Sequence, residues 1–204
     1  MELVSTPRVR LLRDLATEIA HDHGRGRVIV AVDGVERSGK TAFADDLGAV
    51  FAERGHAVFR ASLEFFHRSR AEQDAFGPDT PERYYGYGFD YSLLRRVLIG
   101  PFRLSGSTGF VTRAFDPARD ARMVPKWETG PADAVLIVDG RFANRPELRD
   151  LWDYSILLDA EPAEGVAGAP DRRYLSIANP RSAASAIVDN HEPSAPRRLL
   201  ADAS

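Results

Sequence analysis

Apolar residues recur at spacings of three and four from Val9 to Ala20, and this pattern stops at His23-Gly24. The spacing is that of one face of an α-helix, so we expect an amphipathic helix at the start of the chain. Further along, apolar residues occur instead in short runs, two of which contain a single polar residue, Arg60 or Ser155. Such runs are typical of strands buried on both faces, as in a parallel sheet. The runs are 28–32, 57–61, 134–138 and 154–158, with 186–189 predicted as an edge strand.

Helical patterns separate these predicted strands. We expect helices at 41–53, 91–99 and 146–152, with Gly100-Pro101 ending the second of them, and a further strand at 109–115. The alternation of strands and helices predicts an α/β fold, a three-layer α/β/α sandwich around a mostly parallel five-stranded sheet. A chain of 204 residues fits one domain, 1–204, which begins with the helical segment at 1–25.

The stretch 63–91 interrupts the alternation. It contains charges, aromatic residues and turn pairs such as Gly77-Pro78, but no clear periodicity. A loop of this length inside a compact domain is uncommon and usually functional. We therefore expect an irregular segment that contributes to a site.

One octapeptide satisfies the phosphate-binding pattern G-x-x-x-x-G-K-[ST]: Gly34, Val35, Glu36, Arg37, Ser38, Gly39, Lys40 and Thr41. The required strand precedes it and the required helix follows it. Glycines let backbone N–H groups turn inward around phosphates, and the helix N-terminus adds its positive dipole end. Lys40 would reach the β- and γ-phosphates, and Thr41 would offer its hydroxyl to Mg²⁺. The motif predicts a nucleoside triphosphate site; the alternative is an ordinary glycine turn.

Composition removes several other classes of function. A formal net charge of −3 gives no overall positive field for a nucleic acid. With no cysteine, disulfides and thiolate metal sites are excluded. No stretch approaches the apolar length of a membrane span, and no secretory leader is evident, so we expect a cytoplasmic protein.

Lysine is almost absent. The chain has 27 lysines and arginines, and only Lys40 and Lys126 are lysines. A switch GTPase would need the guanine-specifying Asn-Lys-x-Asp, which neither lysine forms. A lysine retained in the phosphate loop of such a chain supports the nucleotide site, because a compact ammonium suits it better than a planar arginine.

The phosphate loop and several ordered segments together resemble the uridine kinase and phosphoribulokinase family of P-loop kinases, and more closely its actinobacterial uridine kinase-like branch. Besides 34–41, the segments that carry the resemblance are Ser62-Leu63-Glu64-Phe65-Phe66-His67, Asp79-Thr80-Pro81-Glu82-Arg83-Tyr84-Tyr85, Phe89-Asp90-Tyr91, Ala114-Phe115-Asp116, Val138-Asp139-Gly140-Arg141-Phe142, Arg145-Pro146-Glu147-Leu148-Arg149-Asp150-Leu151-Trp152-Asp153 and Val188-Asp189-Asn190. The resemblance implies a nucleoside-kinase-like P-loop NTPase fold. It also implies transfer of the γ-phosphoryl group of ATP (or GTP), with Mg²⁺, to a hydroxyl of a small, nucleoside-like acceptor. A homo-oligomer is compatible with it.

The resemblance also implies roles for individual residues. Glu64, where the family has Asp, would take the proton of the acceptor hydroxyl, and Asp139 would hold the metal with Thr41. Asp90 matches the residue that hydrogen-bonds the sugar hydroxyls. The residues in the family's acceptor-pocket regions are His67, Tyr84, Tyr85 and Phe115, although core or loop packing would explain each of them equally well.

The segment at 160–175 corresponds to the family's arginine-bearing lid, which closes over the triphosphate. In the family an arginine-rich helix follows the fourth strand and precedes an Arg-Tyr pair. Here only Arg173-Tyr174 of that pattern remains, and 160–170 is rich in Pro, Gly and Ala and contains no arginine. We therefore expect a reduced lid, with Arg173 as the catalytic arginine and Arg113 and Arg172 as further candidates.

Two other readings stay open at this point. The reduced lid and the Glu at position 64 also fit a nucleotide-binding pseudokinase or pathway accessory protein without phosphotransfer, whereas no feature specifically supports a nucleotide hydrolase. His21-Asp22-His23 has the residue types of a metal site, but cationic side chains at a helix C-terminus explain it more simply.

Overall fold

The computed structural model describes residues 2–24, 26–160 and 168–200. The α-helices are α1 (Pro7–His23), α2 (Lys40–Glu53), α3 (Arg70–Asp74), α4 (Pro81–Tyr87), α5 (Tyr91–Leu94), α6 (Gly100–Leu104), α7 (Ala169–Ala178) and α8 (Pro180–Ala183). The strands are β1 (Val28–Gly34), β2 (Val58–Ser62), β3 (Phe115–Asp116), β4 (Ala121–Arg122), β5 (Val135–Gly140), β6 (Tyr154–Asp159), β7 (Ala186–Asp189) and β8 (Arg197–Leu199).

The main sheet has the strand order β2-β5-β1-β6-β7-β8. The first five of these strands run parallel, and β8 pairs antiparallel with β7. The predicted α/β fold with a mostly parallel sheet is thus confirmed, and its five predicted strands are the parallel ones. The prediction that 186–189 forms the edge is wrong, because β8 returns along it and takes the edge position.

Alternate residues of β1 enter two hydrophobic clusters on opposite faces of the sheet. Val30 and Val32 pack with the buried faces of α1 and α2. Ile29 and Ala31 pack on the other side with a cluster rich in aromatic residues, the aromatic cluster, which includes Phe66, Phe89, Phe102, Phe110 and Phe142. Burial on both faces explains why this strand is written as an unbroken apolar run. The helical layers on the two faces give the expected three-layer sandwich.

Short helices occupy most of 63–91, contrary to the irregular loop we expected. A 3-10 helix spans Leu63–Phe66, and α3 and α4 follow it. Ser69 begins α3 with a capping box to Glu72, and Thr80 caps α4 through the backbone N–H of Arg83. Elements of four to seven residues are too short to show a helical period, so the sequence pattern missed them.

The helix that begins at Tyr91 does not end at Gly100-Pro101 as predicted. It continues through a π-helical turn, Arg95–Ile99, into α6. Pro101 has no N–H to donate to the carbonyl of Val97, four residues earlier. That carbonyl instead accepts from the backbone N–H of Val111 at 2.8 Å, so the proline leaves no buried acceptor unpaired.

The predicted strand at 109–115 is also wrong. Phe110 forms an isolated bridge with Glu128, and only Phe115 enters a strand, the short β3 that pairs with β4. Phe110 and Val111 are apolar because they are buried in the aromatic cluster, and not because this segment joins the main sheet. Of the helices in the described ranges, none has the length and apolar character needed to cross a membrane.

Candidate functional site

The phosphate loop, 34–41, connects the carboxyl end of the central strand β1 to α2. Arg37 and Gly39 both have left-handed backbone conformations, with φ of 64° and 82°. Alternation of this kind turns successive N–H groups toward one side and makes a concave anion site. A Cβ on Gly39 would also lie only 2.8 Å from the side-chain nitrogen of Asn190, so space and backbone both require glycine there.

Polar groups of the loop suit an anionic ligand. The Ser38 hydroxyl is buried, and within the described ranges it has no hydrogen-bond partner. Lys40 Nζ donates to the Val35 carbonyl at 3.1 Å, which folds the ammonium back over the loop. Burial lowers the pKa of Lys40, while the charge of Glu64 opposes that shift. A bound phosphate group could accept a hydrogen bond from the Ser38 hydroxyl, which has no partner among the described residues, and one from the Lys40 ammonium.

Thr41 and Asp139 lie together at the edge where β1 and β5 end. The Thr41 hydroxyl donates to Asp139 Oδ2 at 2.8 Å, and Asp139 is only 2% exposed. A carboxylate and a hydroxyl are oxygen ligands of the kind that Mg²⁺ takes in phosphate sites. The two residues predicted to hold the metal are therefore adjacent, and their donor atoms fit it.

Arg60 also contacts Asp139, a role that the sequence did not predict. It projects from β2, donates to Asp139 Oδ1 at 2.9 Å, and binds Asp45 of α2 at 2.9 Å with its Nε. The guanidinium holds one oxygen of Asp139 while Thr41 holds the other. Nothing local in the sequence marks Arg60, because its partner lies 79 residues away.

Asp33, immediately before the phosphate loop, is fully buried under a set of donors. Its carboxylate accepts from the Gly34 N–H at 2.8 Å, from the Asn144 N–H at 3.0 Å and side-chain amide at 2.9 Å, and from the Tyr174 hydroxyl of α7. Burial raises the pKa of Asp33, and the Tyr174 and Asn144 hydrogen bonds oppose that rise. Through Asp33, α7, which includes the last residues of the predicted lid, is tied to the base of the phosphate loop.

We expect Tyr174→Phe to lower the free energy of unfolding by about 1–3 kcal/mol, because a buried carboxylate loses a donor. For a chain of this size each kcal/mol corresponds to about 2–4 °C in Tm, which differential scanning calorimetry measures. The hydroxyl favours the charged form of Asp33, so its contribution is present above the pKa of Asp33 and fades as falling pH protonates the carboxyl.

Tyr154→Phe is the matched control for Tyr174→Phe. The Tyr154 hydroxyl also binds a carboxylate, Glu18, but that carboxylate is 32% exposed and is held by Arg198 as well. We expect a smaller loss for the control. Equal losses in the two variants, or a Tyr174→Phe loss that grows in acid, would contradict the role assigned to the Asp33–Tyr174 contact.

Glu64 lies in the 3-10 helix after β2, close to the end of β5. A Cβ on Gly140 would lie 2.5 Å from the Leu63 side chain, so the absence of a side chain at Gly140 is what lets this helix approach. The Glu64 side chain is 38% exposed, and its Oε2 lies 3.4 Å from His67 Nε2. Its negative charge also raises the pKa of Lys40, against the lowering by burial.

His67, Tyr84 and Phe115, which the resemblance assigns to an acceptor pocket, lie close together. The Tyr84 hydroxyl lies 3.1 Å from His67 Nε2, and the Phe115 ring stacks on the His67 ring at 6.1 Å between centroids. Burial lowers the pKa of His67 and raises that of Tyr84, and the negative charge of Glu64 raises both. Both side chains are therefore held in their neutral, hydrogen-bonding forms near neutral pH.

Two predicted acceptor residues are placed differently. Tyr85 is 8% exposed and packs against Phe142 and Tyr174 in the core. Asp90 caps α5 through the Leu93 N–H at 3.0 Å, and its other oxygen accepts from Arg122 at 3.0 Å. The carboxylate of Asp90 is thus engaged on both oxygens, although its hydrogen bonding to an acceptor stays a prediction.

Two of the candidate lid arginines have partners outside the phosphate loop. Arg173 lies on α7 with its guanidinium 3.4 Å from Glu82 of α4, and the exposed Arg113 covers the ring of Phe65 at 4.3 Å. Arg172 lies beside Arg173 on α7. Of the predicted lid, 160–175, residues 161–167 lie outside the described ranges.

Arg141 and Asp171 are the residues that the structure does bring to the loop. Arg141 Nε lies 3.1 Å from Asp171 Oδ1, and its NH1 lies 3.7 Å from the Glu36 carboxylate. The other Asp171 oxygen accepts from the backbone N–H of Glu36 at 3.4 Å. Sequence reasoning gave neither residue a role; the position of Arg141 directly after the Asp139-Gly140 strand end was the available signal.

His21-Asp22-His23 lies at the end of α1, where the helix-terminus explanation places it. His21 Nδ1 pairs with Asp22 at 2.8 Å. These residues border a surface cavity of about 570 Å³ together with Arg27 and Asp153, at the end of the sheet opposite the phosphate loop. In the part of the chain that the structure describes, no cluster of three or more metal-ligating residues occurs.

Comparison with known proteins gives structural likeness only. No family model matches the chain, and no curated protein matches it. A protein from Bacillus stearothermophilus described as a possible uridine kinase superposes with a TM-score of 0.75 at 23% identity, covering 89% of this chain and 97% of its own.

Two other solved structures have a similar fold at lower TM-scores. A candidate fructose transport system kinase from Silicibacter sp. TM1040 matches with a TM-score of 0.62 at 24% identity, over 74% of this chain and 75% of its own. D-glycerate 3-kinase from Cryptococcus neoformans matches with a TM-score of 0.56 at 14% identity, over 76% of this chain and 73% of its own. At such identities the comparisons establish that the chain has the fold of these P-loop kinases.

Proposed function

We propose that this protein is a small-molecule kinase, similar to uridine kinases, which moves the γ-phosphoryl group of ATP (or GTP) to a hydroxyl of a nucleoside-like acceptor. The observation that carries the proposal is the combination of the Thr41–Asp139 contact of 2.8 Å at the phosphate loop with the Glu64–His67–Tyr84 cluster. A nucleotide site and a carboxylate with neighbouring polar groups are the parts that phosphoryl transfer needs.

In this mechanism the loop amides and Lys40 bind the phosphates, and the charge of Lys40 compensates the negative charge that develops during transfer. Thr41 and Asp139 would hold Mg²⁺, which when bound neutralises phosphate charge and orients the triphosphate. Arg60 fixes the Asp139 carboxylate in place. Glu64 takes the proton of the acceptor hydroxyl as that oxygen attacks, and Arg173 remains a proposed contributor to the closed site.

The same proposal includes the chemical class of the acceptor. His67 and Tyr84 are neutral donors and acceptors, and Phe115 adds an aromatic wall behind His67. These groups suit an acceptor that is uncharged and carries hydroxyls near a flat ring. A coupled assay of nucleotide consumption over uridine and other nucleosides, sugars, D-glycerate and pantothenate tests this. Turnover with a nucleoside is the expected result, and no consumption with any acceptor would overturn the proposal.

We expect Asp139→Asn to raise the Mg²⁺ concentration for half-maximal activity by about 10–100-fold, because the variant keeps its shape but loses the charge that attracts the ion. Titration of the coupled assay with Mg²⁺ measures this. Asp45→Asn is the control, since Arg60 also binds Asp45 but that carboxylate is 61% exposed. A change of the same size in both variants would show that loss of an Arg60 partner, and not loss of a metal ligand, is responsible.

A second candidate function is nucleotide binding without transfer. The observation that favours it is the composition of 160–170, where the sequence has neither arginine nor lysine in the place of a lid. Calorimetry distinguishes the two functions: tight ATP binding together with no phosphoryl transfer to any acceptor supports this second candidate.

A further inference from the structure

The parallel pairing of β1 and β5 places Arg141 close to the phosphate loop. Arg141 directly follows β5, whose last residue, Gly140, pairs in register with Asp33 at the end of β1. The side chains that follow two adjacent parallel strands share one edge of the sheet, where α/β folds bind their ligands. Arg141 therefore starts from the same edge as 34–41.

The guanidinium lies between the phosphate loop and the proposed acceptor pocket. Its side chain is 12% exposed and reaches Glu36 of the loop on one side. On the other side it lies over the rings of Tyr84 and Phe142, 5.3 and 5.1 Å from their centroids. Its positive charge also opposes protonation of both Lys40 and His67, one on each side of the site.

The backbone beside Arg141 is strained. Phe142 is fully buried and has a φ of 69°, a left-handed conformation that a bulky residue rarely adopts. Such a conformation persists where the surroundings over-determine it, and these outliers cluster at functional sites. The packed ring of Phe142 therefore fixes where Arg141 leaves the strand.

Asp171 occupies the kind of position that an anionic oxygen would take. One of its oxygens accepts from the Glu36 N–H at 3.4 Å and the other from Arg141 at 3.1 Å. A backbone amide of a phosphate loop and a guanidinium are both phosphate-binding donors. The Asp171 carboxylate therefore engages two donors that could bind phosphate oxygens.

We propose that Arg141 is the arginine that contacts the transferred phosphoryl group, exchanging Asp171 for its oxygens when the triphosphate binds. The inference rests on the proposed function and deepens it. In the transfer, the bond from the γ-phosphorus to the β-phosphate oxygen breaks and a bond to the acceptor oxygen forms. The hydroxyl proton passes to Glu64, and the departing β-phosphate oxygen takes the negative charge. Arg141 compensates the charge on the equatorial oxygens, the role that the arginine-free segment 160–170 does not fill.

Calorimetric titration with a non-hydrolysable ATP analogue and with ADP tests the contact without any acceptor. In Arg141→Ala we expect the Kd of the triphosphate to rise by about 10–100-fold and that of ADP to stay within a few-fold, because only the γ-phosphate loses a charged partner. Arg141→Lys retains a positive charge beside Asp171 and Glu36, and we expect an intermediate loss. In the coupled assay, free guanidinium should restore part of the kcat of Arg141→Ala.

Arg149→Ala is the control for lost structure. Arg149 follows the same strand and donates to the main-chain carbonyls of Asn144 and Ala178, and among the described residues it forms no hydrogen bond or ion pair with 34–41 or Asp171. An equal loss of ADP and triphosphate affinity in Arg141→Ala, or no loss of either, would overturn the inference. If Arg141→Ala does not fold, the test is the same comparison in Arg141→Lys: a larger rise in the Kd of the triphosphate analogue than in that of ADP supports the inference. If the wild-type protein transfers no phosphate to any acceptor, the proposed function is overturned. The ratio of the Kd of the triphosphate analogue to the Kd of ADP still tests whether Arg141 contacts the γ-phosphate.

Discussion

Lys40→Ala is expected to lower kcat/KM for ATP more than any other single change in the chain, because it weakens ATP binding and slows phosphoryl transfer together. The ammonium is half-buried in the loop, and among the described residues its hydrogen bond is to the Val35 carbonyl, so it is available to the β- and γ-phosphates. Loss of a hydrogen-bonded charge to phosphate weakens binding by about 10–150-fold. Loss of the same charge from the transition state lowers kcat by about 10²–10³-fold on top of that.

Lys126→Ala is an unusually well matched control, because Lys126 is the other lysine of the chain and is exposed. We expect its binding and turnover to equal those of the wild type. Amine-reactive labelling with mass spectrometry provides an independent readout, since ATP should protect Lys40 and leave Lys126 fully reactive. Retained ATP affinity in Lys40→Ala, or protection of neither lysine, would contradict the nucleotide site itself.

Glu64→Gln is expected to have the second largest effect, a fall in kcat of about 10²–10⁴-fold, the range for loss of a general base. The amide has nearly the same shape but accepts no proton from the acceptor hydroxyl. The nucleotide contacts are made by other residues, so ATP affinity measured by calorimetry should change little. The combination of lost kcat and retained ATP binding separates a chemical role from a structural one.

Glu64→Asp tests the length of the side chain at this position. The aspartate keeps the carboxylate but shortens the reach to the acceptor oxygen and to His67, now 3.4 Å from Glu64. We expect partial activity, with the kcat of Glu64→Asp between those of Glu64→Gln and the wild type. A Glu64→Gln enzyme with wild-type kcat would show that the proton leaves by another route.

Much of the phosphate site could be predicted because its determinants are local. Gly34, Gly39, Lys40 and Thr41 lie within eight residues, and the strand before them and the helix after them follow from short apolar patterns. The conformations of Arg37 and Gly39 are those that a phosphate loop needs. Asp139 became a candidate for a similar reason, since it ends an apolar run that predicts a strand, and the structure places it beside Thr41.

The remaining parts of the site depend on residues far apart in the chain. Asp171 meets the Glu36 amide across 135 positions, and Tyr174 meets Asp33 across 141. No local pattern reports such pairs. The π-helical turn before Pro101 was missed in the same way, because the donor that satisfies Val97 comes from Val111, on the segment that follows the helix.

The strand order has a consequence for the time at which the site exists during synthesis. β1 and β2 are consecutive in the chain, yet β5 lies between them and β6 borders β1 on its other side. The strand that bears the phosphate loop thus gains both neighbours only after residue 154 has been made. Pairing between such distant segments is slow, since a long loop must close before the contacts form. Residues 34–41 all lie in the first half of the chain. We expect the phosphate loop to take its folded conformation only after β5 and β6, from the second half, have been made and have paired with β1.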